Sequence, residues 1–88
     1  MSIPTITVVH TRACHFCVDA LDTLTALGDN IQVEPIEADN AVGMALVNTY
    51  RPTMFPLVLV DGAFFSQGRL PRGKMRALLG SREGVSPR

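Results

Sequence analysis

The chain contains no tryptophan, a single tyrosine and only two cysteines among its 88 residues. Cys14 and Cys17 cannot form the disulfide framework of a small secreted protein, because a bridge between them closes too short a loop. No apolar run is long enough to cross a bilayer, and residues 1–5 lack the basic and apolar segments of a signal peptide. We therefore expect a cytoplasmic protein that makes no membrane contact.

The charges balance overall but are unevenly placed along the chain. Eight lysines and arginines offset eight aspartates and glutamates, and six of those basic residues lie in residues 62–88. The simpler interpretation is a solvated helix face with a basic tail, and the alternative is a surface that steers an acidic partner. Since no aromatic residues are interleaved with these charges, we expect no nucleic-acid binding.

Apolar periodicity and turn residues predict one domain over residues 1–80, followed by a disordered tail at residues 81–88. The predicted strands cover residues 3–10, 31–36, 57–60 and 63–66, and the predicted helices cover residues 16–27, 41–50 and 71–80. The β-α-β half implies a parallel pair, and the Asp61-Gly62 hairpin implies an antiparallel pair. The expected fold class is α/β, with a mixed four-stranded sheet covered by three helices in the order β-α-β-α-β-β-α.

The spacing of apolar residues also predicts which helix faces point inward. The predicted inward positions are Val18, Leu21, Leu24 and Leu27 in the first helix, and Val42, Ala45, Leu46 and Thr49 in the second. Asn40 is a suitable N-terminal cap for the second helix. Gly43 disfavours that helix by about 1 kcal/mol relative to alanine.

The dithiol Cys14-His15-Phe16-Cys17 stands where the first strand gives way to the first helix. A cysteine at a helix N-terminus faces unpaired N–H groups and the positive end of the dipole, which lower the pKa of its thiol. We therefore predict that Cys14 is the nucleophile and that Cys17 resolves the mixed disulfide. Arg12 and His15 would add positive charge or donors, and Phe16 would pack beside the pair and limit water.

Other interpretations of these residues stay open. Zinc needs about four ligands, which the two cysteines with His10 and His15 would supply. His15 lies between the cysteines, where its geometry for shared ligation is poor, so we assign no metal. His15 is equally well explained as an exposed loop histidine, and Arg12 as an ordinary surface charge.

Phe55-Pro56 directly precedes the apolar strand predicted at residues 57–60. A cis bond there would expose the backbone of the preceding residue to an extended peptide or thiol ligand beside Cys14. Base rates for X–Pro bonds favour the trans form, so the residues alone predict a trans proline.

The ordered set of motifs resembles the thioredoxin superfamily, nearest to the glutaredoxins and small glutaredoxin-like redoxins, over about residues 3–80. The motifs are the strand-C-x-x-C-helix unit, Phe55-Pro56 before the third strand, the Asp61-Gly62 hairpin, and Gly68 before the last helix. The resemblance implies a thioredoxin-like fold and a cis Pro56. It also implies an attacking Cys14, a resolving Cys17, and substrate contacts from Phe55, Pro56, Gly68 and Arg69.

The sequence departs from glutathione-using glutaredoxins at four places. It has His15-Phe16 in place of Pro-Tyr, Arg12 in place of a lysine, Met54-Phe55 in place of Thr-Val, and Gln67-Gly68-Arg69-Leu70 in place of Gly-Gly-x-Asp. These departures weaken the case for an ordinary glutathione site.

The resemblance implies a small monomeric dithiol–disulfide oxidoreductase that acts on protein or small-molecule disulfides. No cofactor is required, and electrons come from glutathione or from a thioredoxin-reductase-type donor. Two alternatives use the same fold: a redox-sensing or assembly module, and a glutathione-assisted iron–sulfur or metal carrier.

Overall fold

A four-stranded sheet with the strand order β2-β1-β3-β4 forms the centre of the molecule. The computed structural model describes residues 3–82, with side chains through residue 80. Its elements are β1 (Thr5–His10), α1 (His15–Thr25), a 3-10 turn (Gly28–Asn30), β2 (Gln32–Glu37), α2 (Ala41–Tyr50), β3 (Leu57–Val60), β4 (Ala63–Gln67) and α3 (Arg72–Arg82). The predicted element order and fold class are confirmed.

The last helix continues two residues beyond its predicted end at residue 80. The rest of the predicted disordered tail lies outside the described residues. Across residues 3–82, none of the helices combines the length and apolar content that a membrane-spanning helix needs.

Strand β1 pairs in opposite senses with its two neighbours. It runs parallel to β2, from Thr5 opposite Gln32 to His10 opposite Glu37, and antiparallel to β3. Because β1 and β2 run parallel, their carboxyl ends meet at the same edge of the sheet. His10 and Glu37 therefore lie side by side at the end of the sheet from which α1 and α2 depart.

The helices cover both faces of the sheet. Helices α1 and α3 cover one face, where the buried residues include Ile6, Val8, Ala20, Leu24, Val58, Phe65 and Met75. Helix α2 covers the other face, where Leu46 and Val47 pack against Val9, Leu57 and Leu59. Each fully buried Leu, Ile or Val side chain stabilises the fold by about 1.5–3 kcal/mol.

The predicted inward face of α1 is wrong at Val18, which is 59% exposed. The buried residues of this helix are Cys17, Ala20 and Leu24. Spacing of three selects a stripe of large apolar residues, whereas the helix turns once every 3.6 residues. The small side chains of Cys17 and Ala20 face the sheet instead, which lets the helix approach it closely.

The predicted inward face of α2 is also wrong, apart from Leu46. Val42, Ala45 and Thr49 are exposed, while Gly43 is buried. A Cβ atom at Gly43 would overlap the carbonyl oxygen of Glu37. The glycine that disfavours the helix by propensity is thus what lets α2 pack against the end of β2. The predicted cap is confirmed, since the Asn40 side chain accepts a hydrogen bond from the Val42 N–H at 2.8 Å.

Strand β4 contains a bulge that breaks the expected alternation of inward and outward side chains. Leu59 pairs with Phe64, but Val58 pairs with Ser66, so Phe65 is the extra residue. Phe65 and Ser66 are consecutive and both buried. Phe65 belongs to the core under α1 and α3, to which Val58, the strand partner of Ser66, also contributes.

The predicted Asp61-Gly62 turn is confirmed and joins β3 to β4. Both residues adopt the positive φ angles, 49° and 86°, that this two-residue hairpin requires. The Asp61 carboxylate accepts a hydrogen bond from the Thr5 N–H at 2.9 Å, and the Asp61 N–H donates to the Thr5 carbonyl at 2.8 Å. The turn is therefore also bound to the start of β1.

Candidate functional site

Cys14 caps the N-terminus of α1, as the sequence predicts, and is disulfide-bonded to Cys17 with their Cα atoms 5.2 Å apart. The backbone N–H of Cys17 donates to the Cys14 sulfur at 3.1 Å. The same amide would stabilise a thiolate on Cys14 once the bridge is reduced, together with the positive end of the helix dipole. Cys17 is 2% exposed, whereas Cys14 is half-buried. This asymmetry leaves Cys14 as the sulfur that a substrate can reach.

The residue before Cys14 has an unusual backbone conformation. Ala13 has a φ of 52°, in the left-handed region that residues other than glycine rarely adopt. Such a residue costs on the order of 1 kcal/mol, and strained positions of this kind cluster at functional sites. Nothing in the identity of an alanine indicates this conformation, so sequence reasoning missed it.

The loop before β3 approaches the disulfide from the neighbouring strand. The Phe55–Pro56 bond is cis, as the resemblance to the redoxins implies and against the prediction from base rates. The Phe55 carbonyl oxygen lies 3.8 Å from the Cys14 sulfur, although the two residues are 41 positions apart. In the disulfide this sulfur carries no proton, so the approach is a contact. In the reduced form the Cys14 thiol can donate to that carbonyl.

Three hydrogen bonds hold this loop against the end of β4. The Gly68 N–H donates to the Pro56 carbonyl at 3.0 Å. The Gln67 side chain accepts from the Thr53 N–H at 3.0 Å and donates to the Thr53 hydroxyl at 3.2 Å. We call this side-chain pair the Thr53–Gln67 clamp. Sequence reasoning missed it because two exposed polar residues 14 positions apart carry no recognisable pattern.

Met54 covers the glycine that was predicted to contact substrate. Gly68 is buried and has a φ of 76°, and a Cβ atom there would lie 3.2 Å from the Met54 sulfur. Met54 itself is 48% exposed. A ligand lying beside Pro56 would therefore contact the methionine side chain at the position where Gly68 was expected to meet it.

The remaining predicted site residues, Arg12, His15, Phe16 and Arg69, are all exposed. The ring of Phe16 is 42% exposed, so its shielding of the disulfide is incomplete. The structure thus brings Cys14, Cys17, Phe55 and Pro56 together, with Gly68 one hydrogen bond further away.

A cavity of about 190 Å³ opens at the edge of the sheet where β1 and β2 end. The cavity is lined by the end of β1 and the residues after it (His10, Thr11 and Arg12) and by the end of β2 and the residues after it (Glu37, Ala38 and Asp39). Sequence reasoning did not single out Glu37 or Asp39. The predicted parallel pair was sufficient to place them, since parallel strands bring their carboxyl ends together.

Within the described part of the chain, no group of three or more His, Cys, Asp or Glu residues is placed to hold a metal ion.

No protein-family model and no curated protein matches the chain. Solved structures do resemble it. A thioredoxin-like protein from Clostridium perfringens has a TM-score of 0.66 and 19% identity, over 90% of this chain and 70% of that protein. The fold is thioredoxin-like.

Two further solved structures resemble this chain over nearly its whole length. Thioredoxin f2 from Chlamydomonas reinhardtii has a TM-score of 0.60 and 13% identity, over 98% of this chain and 84% of that one. A malarial protein has a TM-score of 0.64 and 13% identity, over 96% of this chain and 100% of that one. These matches confirm the resemblance at the level of fold.

Removing one half of the Thr53–Gln67 clamp tests whether it orders the loop before β3. We expect Gln67→Ala to lower the free energy of unfolding by about 1 kcal/mol, because exposed hydrogen bonds contribute little each. We also expect the Thr53 amide to exchange its hydrogen faster, while the Gly68 amide stays protected. Gln32→Ala is the control, since Gln32 is also exposed and its side chain has no hydrogen bond to the described residues. Equal Thr53 exchange in both variants would contradict the clamp.

Proposed function

We propose that the protein is a small glutaredoxin-like dithiol–disulfide oxidoreductase that reduces protein or small-molecule disulfides. The observation that carries this proposal is the environment of the Cys14 sulfur. This sulfur accepts a hydrogen bond from the Cys17 N–H at the helix N-terminus, and it lies 3.8 Å from the Phe55 carbonyl oxygen. The Cys17 N–H stabilises a thiolate on Cys14, and the Phe55 carbonyl belongs to the backbone against which a substrate would bind.

The proposed reaction uses the two cysteines in sequence. The Cys14 thiolate attacks one sulfur of the substrate disulfide and releases the other sulfur as a thiolate, which takes up a proton. Cys17 then loses its proton and attacks the Cys14 sulfur, which releases the second substrate thiol. The disulfide seen in the structure is the oxidised product of this cycle. Glutathione or a thioredoxin-reductase-type donor would return it to the dithiol.

The residues around the dithiol have proposed roles that follow from their positions. Phe55 and Pro56 present backbone to the substrate, and Met54 takes part in the same surface because it covers Gly68. Arg12 adds a positive charge near the attacking sulfur, and His15 adds a hydrogen-bond donor. We further propose that the protein works in the cytoplasm as a monomer and needs no bound cofactor.

The direct test is the rate at which the protein reduces insulin disulfides or a small mixed disulfide. We expect Cys14→Ser to lower this rate to that of the uncatalysed background, because a serine hydroxyl is not ionised near neutral pH. Ala77→Ser places the same side chain on the exposed face of α3 and is expected to keep the full rate. Turnover that survives Cys14→Ser would exclude the proposed mechanism.

The electron donor is tested by a second measurement. The oxidised protein is titrated with glutathione and, separately, reduced by thioredoxin reductase, with the redox potential determined from the glutathione titration. Rapid reduction of the disulfide by either donor would support the assignment as an oxidoreductase. A Cys14 thiol that reacts no faster than free cysteine would favour the redox-sensing or assembly module instead.

A further inference from the structure

The cavity beside Arg12 occupies a distinctive place in the fold. Strand β1 leads into α1 on one face of the sheet, and β2 leads into α2 on the opposite face. In open α/β sheets, ligands bind in the crevice at the carboxyl ends of strands whose connections diverge in this way. The cavity is lined by the last residue of each of these two strands and by the two residues that follow it. It therefore lies where this arrangement of strands is suited to hold a ligand.

Opposite charges line this cavity without neutralising each other. Arg12 follows β1, whereas Glu37 is the last residue of β2 and Asp39 follows it. Within the described part of the chain the single ion pair joins Arg72 to Asp19, so none of the three charges at the cavity is in an ion pair. A cation and two carboxylates that face one cavity and remain unpaired are complementary to a ligand that carries both charges.

The cavity is also close to the backbone of the attacking cysteine. Arg12 and Cys14 are separated by two peptide units, so their Cα atoms are at most about 7.6 Å apart. A volume of about 190 Å³ is roughly that of six water molecules, which suits one small amino acid but excludes a folded chain. A ligand held here by its charged groups needs only a short arm to bring a sulfur to Cys14.

We propose that this cavity binds the α-amino-acid head group of a small disulfide, with the carboxylate at Arg12 and the ammonium at Glu37 and Asp39. Cystine has this chemistry, because its sulfur lies two bonds from the carbon that bears both charges. The proposal rests on the proposed function and names a substrate class for the same dithiol.

The reaction is balanced by the two cysteines of the protein. The Cys14 thiolate forms a disulfide with one half of cystine, and the other half leaves as a thiolate that takes up a proton. Cys17 gives up its proton and attacks Cys14, which releases the second half as cysteine. Two electrons pass from the dithiol to cystine, and the products are two cysteines and the Cys14–Cys17 disulfide.

The test measures how fast the reduced protein is oxidised by four small disulfides that differ in charge. Cystine carries both charges, cystamine carries only ammonium groups, 3,3′-dithiodipropionate carries only carboxylates, and bis(2-hydroxyethyl) disulfide carries neither. Each rate is divided by the rate at which dithiothreitol reduces the same disulfide, which removes intrinsic reactivity. We expect cystine to exceed the uncharged disulfide by about fivefold to tenfold, as one or two solvent-exposed ion pairs would give.

Two variants test which charged group of the ligand is bound by Arg12 and which by the two carboxylates. For each variant, rates are expressed relative to its own rate with the uncharged disulfide. Arg12→Gln should lower the relative rate for cystine and dithiodipropionate but not for cystamine. The double variant Glu37→Gln with Asp39→Asn should lower it for cystine and cystamine but not for dithiodipropionate. A variant that had merely lost structure would not produce this crossed pattern.

A control variant tests for a general charge effect, and three contrary outcomes each exclude a different part of the proposal. Asp29→Asn removes one negative charge in the distant 3-10 turn and should leave all the relative rates unchanged. If the uncharged disulfide is reduced normally and cystine has no advantage, the head-group site is excluded while the oxidoreductase stands. If no disulfide is reduced, the proposed function itself fails. Glutathione disulfide that outpaces cystine and responds to the same variants would overturn the assignment to a free amino acid.

Discussion

Replacing Cys17 with serine is expected to stop the reaction at a covalent intermediate between Cys14 and its substrate. The serine keeps the backbone N–H that donates to the Cys14 sulfur, so the attacking thiolate keeps its stabilising donor. It removes the buried thiol that would displace the second half of the substrate. Turnover with a protein disulfide should therefore fall to background, while one equivalent of mixed disulfide accumulates. The mass of the intact protein, measured after exposure to the disulfide, reports that adduct directly.

The paired variants distinguish the roles of the two cysteines. Cys14→Ser should form no adduct, because Cys17 is too buried to attack a substrate that approaches from outside. An adduct on Cys17 in that variant would reverse the assigned roles. If Cys17→Ser forms the adduct but glutathione then releases it quickly, glutathione is the resolving thiol and the electron donor.

Replacing Gly43 with alanine is expected to lower the free energy of unfolding by about 3 kcal/mol, at the upper end of what an overpacked contact usually costs. The added Cβ would overlap the Glu37 carbonyl oxygen, which belongs to the backbone and cannot rotate away. Helix α2 would have to move outward, which would open its packing on Leu57 and Leu59. A domain of this size is stabilised by only about 5–15 kcal/mol, so the loss should be obvious in denaturant unfolding.

Gly73→Ala is the matched control for this prediction. Gly73 also lies in a helix, and a Cβ atom there would meet nothing within 4 Å. Its replacement should raise the free energy of unfolding by about 0.5–1 kcal/mol, because alanine favours a helix over glycine. If both substitutions stabilise the protein, the close approach of α2 to Glu37 is not a feature of the molecule in solution.

The order of the elements could be predicted from the sequence because local chemistry determines it. Asn40 caps a helix, Asp61-Gly62 makes a hairpin, and an apolar run before Cys14 makes a strand wherever the chain places them. The position of Cys14 at the N-terminus of α1 follows from the same local rules. The principal chemical feature of the candidate site was therefore predictable.

The inward faces of α1 and α2 were predictable only in part, because they depend on how closely two backbones approach. Val18 and Val42 are apolar yet exposed, while the small residues Ala20 and Gly43 are buried where α1 and α2 meet the sheet. Periodicity ranks residues by hydrophobicity and is insensitive to such close contacts. The bulge at Phe65 is a matter of strand register, for which the sequence between residues 57 and 67 contains no marker.

The site beyond the cysteines depends on contacts between distant parts of the chain. The Phe55 carbonyl reaches Cys14 across 41 positions. Arg12 shares a cavity with Glu37 only because β1 and β2 are parallel and in register. Patterns along the sequence identify the individual groups, and the topology of the sheet decides which of them meet.

The interior place of β1 has a consequence for how the protein is made. Ribosomes synthesise β1 and both cysteines before either strand that will flank β1, and β3 begins only at Leu57. A nascent chain that has grown only through α2 contains the complete dithiol but lacks the Phe55 carbonyl beside it. In chains of that length the loop before β3 cannot yet lie against Cys14. The contact between the Cys14 sulfur and the Phe55 carbonyl forms only when the second half of the sheet has been synthesised and has docked.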